Sequence, residues 1–261
     1  MSQIRRLIAE GALPFVGREA ELYELRQAAL APLEEEAATF TLITGPSGIG
    51  KHRLIDTFAA RLLADHGTES ITLLRIRCEK DGAPARGLLE ASVHRALEHV
   101  LADTTRREAE ASSVRQETLE EKLIVLAAER PLIVVIESLR DAQDAGEVIT
   151  LLGRITEHAI AFLLTCDEDS STELIPALAQ ATKGMSHVVR LPLLVPVEVE
   201  RLMRLAFGLR PSSALLGVLM ERTNGHPGAI VDLLHEFIQH QVLVTIGADD
   251  EPLAWREQSE A

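Results

Sequence analysis

The chain has 261 residues, 46% hydrophobic and 25% charged, with a formal net charge of −14. That is the profile of a folded globular protein with length for a sizeable core. It excludes a disulfide scaffold, since Cys78 and Cys166 are the only cysteines, and a membrane span, since no apolar run approaches the roughly 20 residues one requires. The acid excess argues against nucleic acid as a partner, because phosphate backbones need a basic footprint. The N-terminal MSQIRRLIAEGALPF lacks the apolar stretch of a secretory signal, so the expected compartment is the cytoplasm.

In chain order, residues 3–10 read as a short helix broken by Gly11 and Pro14. Glu19–Leu30 is helical through Leu22, Leu25 and Leu30, and Ala38–Thr44 is a short β-branched apolar run, a buried strand. His52–Ala64 carries Leu54, Ile55, Phe58, Leu62 and Leu63 at helical spacing. The alternation continues with a strand at Ile71–Ile76 and helices at Leu88–Leu101 and Leu119–Ala128, the latter stopped by Pro131. Leu132–Ile136 (LIVVI) predicts a central strand buried on both faces. A helix over Ala142–Ile155 and a strand over Ala159–Thr165 follow. Strands alternating with helices of this length imply βαβ units and a parallel sheet. Beyond residue 192 the pattern becomes helical: Val197–Phe207, Ser212–Arg222 and Gly228–His240, separated by GLRP and TNGHP. A short strand at Val242–Ile246 closes the chain. The expected division is an α/β domain over residues 1–192 and a small helical domain over 193–261.

The sharpest local feature is Gly45-Pro46-Ser47-Gly48-Ile49-Gly50-Lys51-His52. It fits G-x-x-x-x-G-K between a predicted strand and a predicted helix, the context a phosphate-binding loop requires. Glycines let backbone N–H groups turn inward around a phosphate, the helix N-terminus adds its positive end, and Lys51 supplies a point charge. A Gly-rich strand-to-helix turn can also exist without a ligand. The next position ordinarily supplies a Ser or Thr hydroxyl to Mg²⁺. Here it is His52, a poor ligand for a hard cation, so the loop suits phosphate while magnesium stays open.

The predicted strand Leu132–Ile136 runs into Glu137-Ser138. In P-loop NTPases such a strand ends in an acid that holds Mg²⁺, and Glu137 is the candidate; a solvated charge at a strand end is the plainer alternative. Ser138 follows where hydrolysing proteins place a second acid, and it cannot act as a general base at neutral pH. Thr165, at the end of the next predicted strand, is suited to sensing a γ-phosphate. Asp167, two residues on, would repel developing negative charge.

Together these residues resemble the AAA+-like ATPase module of the STAND signal-transduction NTPases of bacterial regulators. The resemblance runs from about Leu13 to Trp255. Phe15-Val16-Gly17-Arg18-Glu19 is similar to the family's opening FVGRE, whose backbone lines the adenine pocket. Gly45–Lys51 matches the Walker A loop, Arg77-Cys78-Glu79 resembles an R-C-E stretch, and PLIVVIES (131–138) takes the Walker B position. Asn224-Gly225-His226-Pro227 is similar to a G-x-P motif whose Pro packs near the adenine. The departures are His52, Glu137-Ser138 and Cys166-Asp167, all on the catalytic side. The resemblance therefore implies a three-layer P-loop core with a parallel sheet and a helical lid, binding ATP or ADP as a regulatory switch with slow or absent hydrolysis. It implies a protein partner or self-association. A non-hydrolysing interaction scaffold and an initiator-type DNA-binding AAA+ protein are the alternatives. The family's winged helix and sensor do not follow Trp255, so a stand-alone module or one completed by another chain is expected.

Other constellations carry less. The nine His show no metal spacing, and His226, His235 and His240 read as surface or packing residues of the last helix. Cys78 and Cys166 both fall at predicted strand ends and read as small buried residues. Neither G-x-S-x-G nor H-E-x-x-H occurs.

Overall fold

The computed structural model describes residues 13–67, 70–79, 82–102, 118–139, 144–208, 210–240, 243–245 and 253–255. The helix expected over 3–10 lies outside them. Two units account for the described chain: a sheet unit of Ala20–Pro46 and Leu54–Leu191, and a helical unit of the residues up to Glu19, Ser47–Arg53 and those from Pro192 onward.

The sheet unit follows from its apolar runs. Strands β1 (Thr39–Gly45), β2 (Thr72–Arg77), β3 (Leu132–Glu137), β4 (Ile160–Asp167) and β5 (Ser186–Arg190) form one sheet in the order β2-β3-β4-β1-β5. Every pairing is parallel. All six residues of β3 are buried, as a strand covered on both faces requires. Along each strand, alternate side chains belong to one large cluster: Phe40 and Leu42, Leu74 and Ile76, Val134 and Ile136, Phe162 and Leu164. Phe40 and Phe162 are register partners and stack with ring centroids 5.3 Å apart. Burying a large apolar side chain is worth about 1.5–3 kcal/mol, so this layer anchors the unit.

Four helices pack side chains into that cluster: α4 (Ala85–Ala102), α5 (Leu119–Glu129), α6 (Ala145–Arg154) and α7 (Glu168–Ala181). The opposite face carries Thr41, Ile43, Ile133, Val135, Ala161 and Leu163, also buried. It is covered by α1 (Glu19–Leu30) and α3 (Lys51–His66). Thr39 donates its hydroxyl to Ala28 O of α1 at 2.7 Å, Arg26 of α1 pairs with Asp65 of α3, and Asp56 of α3 meets Arg75 of β2. The short α2 (Pro32–Glu35) links α1 to β1. The result is the three-layer α/β/α core with a parallel sheet that the sequence pattern implies.

Several boundaries shift for local reasons. Helix α4 starts three residues before the expected Leu88 because the Asp144 carboxylate accepts from the N–H groups of Ala85 and Arg86 at 2.7 and 2.8 Å. Strand β4 continues to Asp167, in register with Gly45. The sequence reading has no counterpart for α7 or β5. Pro176 stands inside α7, where it removes a helix hydrogen bond, and SHVVR is too short to show a strand period.

The helical unit contains α8 (Pro196–Phe207), α9 (Ser213–Thr223) and α10 (Pro227–Gln239). Their buried faces, with Val199, Leu202 and Met203, Leu215 and Leu219, and Ile230, Leu234 and Phe237, share one cluster with Leu13, Val16 and Leu194. Leu243–Thr245 pairs antiparallel with Leu253–Trp255, so the single terminal strand expected at 242–246 is one arm of a hairpin (β6 and β7). No described helix is long and apolar enough to cross a membrane.

Candidate functional site

The NGHP turn positions the site. Asn224 caps the C-terminus of α9 in the left-handed conformation at φ +49°. Gly225 follows at φ +76°, and a β-carbon there would lie 2.0 Å from Leu194 O; its own carbonyl accepts from Leu194 N at 2.9 Å. His226 is the N-cap of α10, its Nδ1 accepting from Ala229 N at 3.2 Å. Pro227 opens the helix, where its missing N–H costs nothing.

Pro227 and Val231, one turn later on the same face, wall a pocket of about 440 Å³, a figure that includes open solvent at its mouth. The other walls are Leu13, Pro14, Phe15, Val16 and Arg18 of the FVGR segment, Ile49, Gly50 and Arg53 around the phosphate loop, and Leu194 and Leu202. All belong to the helical unit. The lining is apolar except for two arginines and contains no carboxylate. The FVGR segment is held firmly: Arg18, 4% exposed, donates from Nη2 to Pro192 O at 2.6 Å. Gly17 lies against the Glu198 carboxyl group, and Glu19 pairs with Arg201 at 3.7 Å.

The loop after β1 turns its tip toward α10. Gly48 O accepts from Gly228 N at 3.1 Å, and the His226 ring covers Gly48 closely enough that a β-carbon would sit 3.0 Å from Cε1. Gly48 has φ +79°, a conformation that glycine adopts without strain. Helix α3 begins at Lys51 and His52, so its first-turn N–H groups end the loop.

Of the residues singled out by sequence, Phe15, Val16, Arg18, Ile49, Gly50 and Pro227 line the cavity. Gly17 is not among the lining residues and packs against Glu198, and Gly45, Pro46, Ser47, Gly48, Lys51 and His52 form the loop and the helix start. Glu137 and Thr165 belong to the sheet unit. Leu13, Pro14, Arg53, Leu194, Leu202 and Val231 went unrecognised. For Val231 the i+4 spacing from Pro227 was the available signal.

At the carboxyl edge of the sheet, Glu137 is not the solvated charge its strand-end position allows: it is 1% exposed. Its Oε1 accepts from Arg75 Nε, and Arg75 Nη1 donates to Asp56 Oδ1 at 2.6 Å. Burial works to lower the Arg75 pKa, and the hydrogen bonds and charges of Glu137 and Asp56 together outweigh it and hold the guanidinium above its ordinary value. Thr165 Oγ1, buried, accepts from Ser138 N at 2.9 Å, and Ser138 itself has φ +56°. Cys78 and Cys166 are buried and not joined in a disulfide, with β3 standing between β2 and β4. Among the described residues no group of three His, Cys, Asp or Glu could hold a metal ion.

Comparisons with known proteins agree on the class. No curated protein matches the chain. The Aeropyrum pernix ORC1 protein in complex with DNA is 14% identical, with a TM-score of 0.57 over 91% of this chain and 64% of that one. The ADP form of the A. pernix ORC2 protein is 16% identical, with a TM-score of 0.58 over 90% and 67%. Drosophila ORC bound to DNA is 11% identical, with a TM-score of 0.56 over 91% and 59%. The chain thus spans about two thirds of these neighbours or less, and at such identities the likeness is one of fold. The family match is direct and covers residues 14–191: the chain belongs to the AAA ATPase domain family of P-loop NTPases.

Proposed function

We propose that the chain is an ATP/ADP-binding switch module of the STAND type, hydrolysing nucleotide slowly or not at all. Residues 1–192 form its α/β core and 193–261 its lid. The observation that carries this reading is the cavity. Three segments far apart in sequence, FVGR, the loop after β1 and the helix opened by Pro227, wall one apolar space with two cations and no acid. Phe15, Val16, Arg18 and Pro227 frame the base, the backbone of residues 45–50 cradles the phosphates and Lys51 neutralises them. Thr165 and Glu137 stand at the ends of adjacent strands, where catalytic groups would be needed. Ser138 supplies no base, and Glu137 is already engaged, which supports a nucleotide state that persists. That state would set how the module meets a protein partner or a second copy.

The test is calorimetric titration of the full chain with ADP and ATP. The expected result is saturable binding that Lys51→Ala weakens at least about tenfold, or roughly 1.4 kcal/mol. Absence of binding at about millimolar nucleotide, where association is worth only about 4 kcal/mol, would leave the scaffold reading instead.

A second reading takes its support from the DNA-bound structural neighbours. An initiator-type role needs a basic groove, whereas residues 81–261 hold 16 basic and 29 acidic side chains. A salt-dependent mobility shift of duplex DNA at physiological ionic strength would favour this reading.

A further inference from the structure

The residues at the magnesium positions do not fit that ion. Position 52 offers an imidazole, and Mg²⁺ demands near-octahedral oxygen ligands and gives up water reluctantly. Glu137, the remaining acid, has Oε1 committed to Arg75 Nε. Arg75 faces β3 beside Val135, its register partner, so its side chain and that of Glu137 project from the same face of the sheet. Asp56 of α3 holds the guanidinium from the other side at 2.6 Å. A cation is therefore already in place against the buried carboxylate, fixed by a second carboxylate and carried by a side chain that does not deprotonate.

We propose that Arg75 is a built-in counter-ion that takes the place of the divalent cation at Glu137, so that this chain binds its nucleotide without magnesium. The inference rests on the nucleotide-binding reading above. A divalent ion approaching Glu137 would meet a carboxylate whose Oε1 already accepts a charge-assisted hydrogen bond from Arg75, and would sit beside a second positive charge that stays tethered to Asp56. With Arg75 in place, Glu137 is neutralised in every nucleotide state, and it presents no unpaired negative charge at the edge from which the phosphate loop departs.

The test is calorimetric titration of the wild-type full chain with ADP and with ATP, in excess MgCl₂ and again in excess EDTA. The expected dissociation constants agree within about threefold between buffers. Arg75→Met removes the counter-ion, and for this variant magnesium should tighten binding by at least about tenfold. Manganese used as a paramagnetic probe should then show a protein-bound ion that the wild type lacks. Circular dichroism reports whether the variant folds. The double variant Arg75→Met/Glu137→Gln removes both charges and should bind equally in the two buffers. Wild-type binding that collapses at least about tenfold in EDTA overturns the inference and leaves the nucleotide reading standing. A folded Arg75→Met variant that binds equally in both buffers, with no bound manganese, also overturns it. Absence of nucleotide binding in both buffers overturns both.

Discussion

Asn224, Gly225, His226 and Pro227 each perform a separate backbone task, which is why a four-residue motif can close one helix and open the next. Gly225→Ala would drive a β-carbon into Leu194 O at a positive φ. It should destabilise the chain by about 2–4 kcal/mol in urea unfolding, while Asn224→Ala costs about 1 kcal/mol for the left-handed conformation alone. Arg75 makes the complementary case. Arg75→Met leaves Glu137 buried without its cation and should cost about 2–3 kcal/mol, a value discounted for the partial exposure of the guanidinium. Adding Glu137→Gln should restore most of that loss. The two sites differ in legibility. Gly45 to Lys51 and NGHP are local patterns whose chemistry follows from adjacent residues. The pairing of Arg75 with Glu137 joins residues 62 apart, and Arg75 alone, between Leu74 and Ile76, reads as an outward position in an alternating strand.

Among the elements, β1, β3 and β4 were legible because burial on both faces forces a continuous β-branched run, and α10 because its apolar stripe is strong. Helix α7 was hidden by Pro176, which is exposed, midway along the helix. Pro176→Ala should stabilise the protein by about 1–2 kcal/mol, part of the roughly 3 kcal/mol an interior proline costs, and a higher urea midpoint would show it. Helix α5 carries a pH-dependent start. Thr118 N donates to Glu121 Oε2 at 2.7 Å, and Glu121 N donates back to Thr118 Oγ1 at 3.3 Å. The backbone hydrogen bond from Thr118, then its hydroxyl, holds the Glu121 carboxyl below its ordinary value of 4.5. The native state therefore favours the ionised form. Its stabilisation is complete above the unfolded carboxyl pKa and is lost as the pH falls through the lower folded one. Glu121→Gln keeps an acceptor at every pH, so thermal melts across the acid range should show a shallower decline than wild type.

For the whole molecule, the linkage between ligand and stability gives a test independent of heat signals. A nucleotide at a hundred times its dissociation constant should add about 2.7 kcal/mol of stability, visible as a higher Tm with ADP that Lys51→Ala cuts to about half or less. The grouping of the FVGR segment, the loop tip and the C-terminal helices in one unit also bears on synthesis at the ribosome. The sheet unit is complete in sequence at Leu191, so a nascent chain can pair all five strands while Gly48 O still lacks the N–H that Gly228 donates to it and Pro227 has yet to emerge. A ribosome-bound chain arrested soon after residue 191 should fail to retain a fluorescent ADP analogue, and one arrested beyond α10 and clear of the exit tunnel should hold it. Nucleotide capture then becomes a timer that reports when translation of the helical unit has finished.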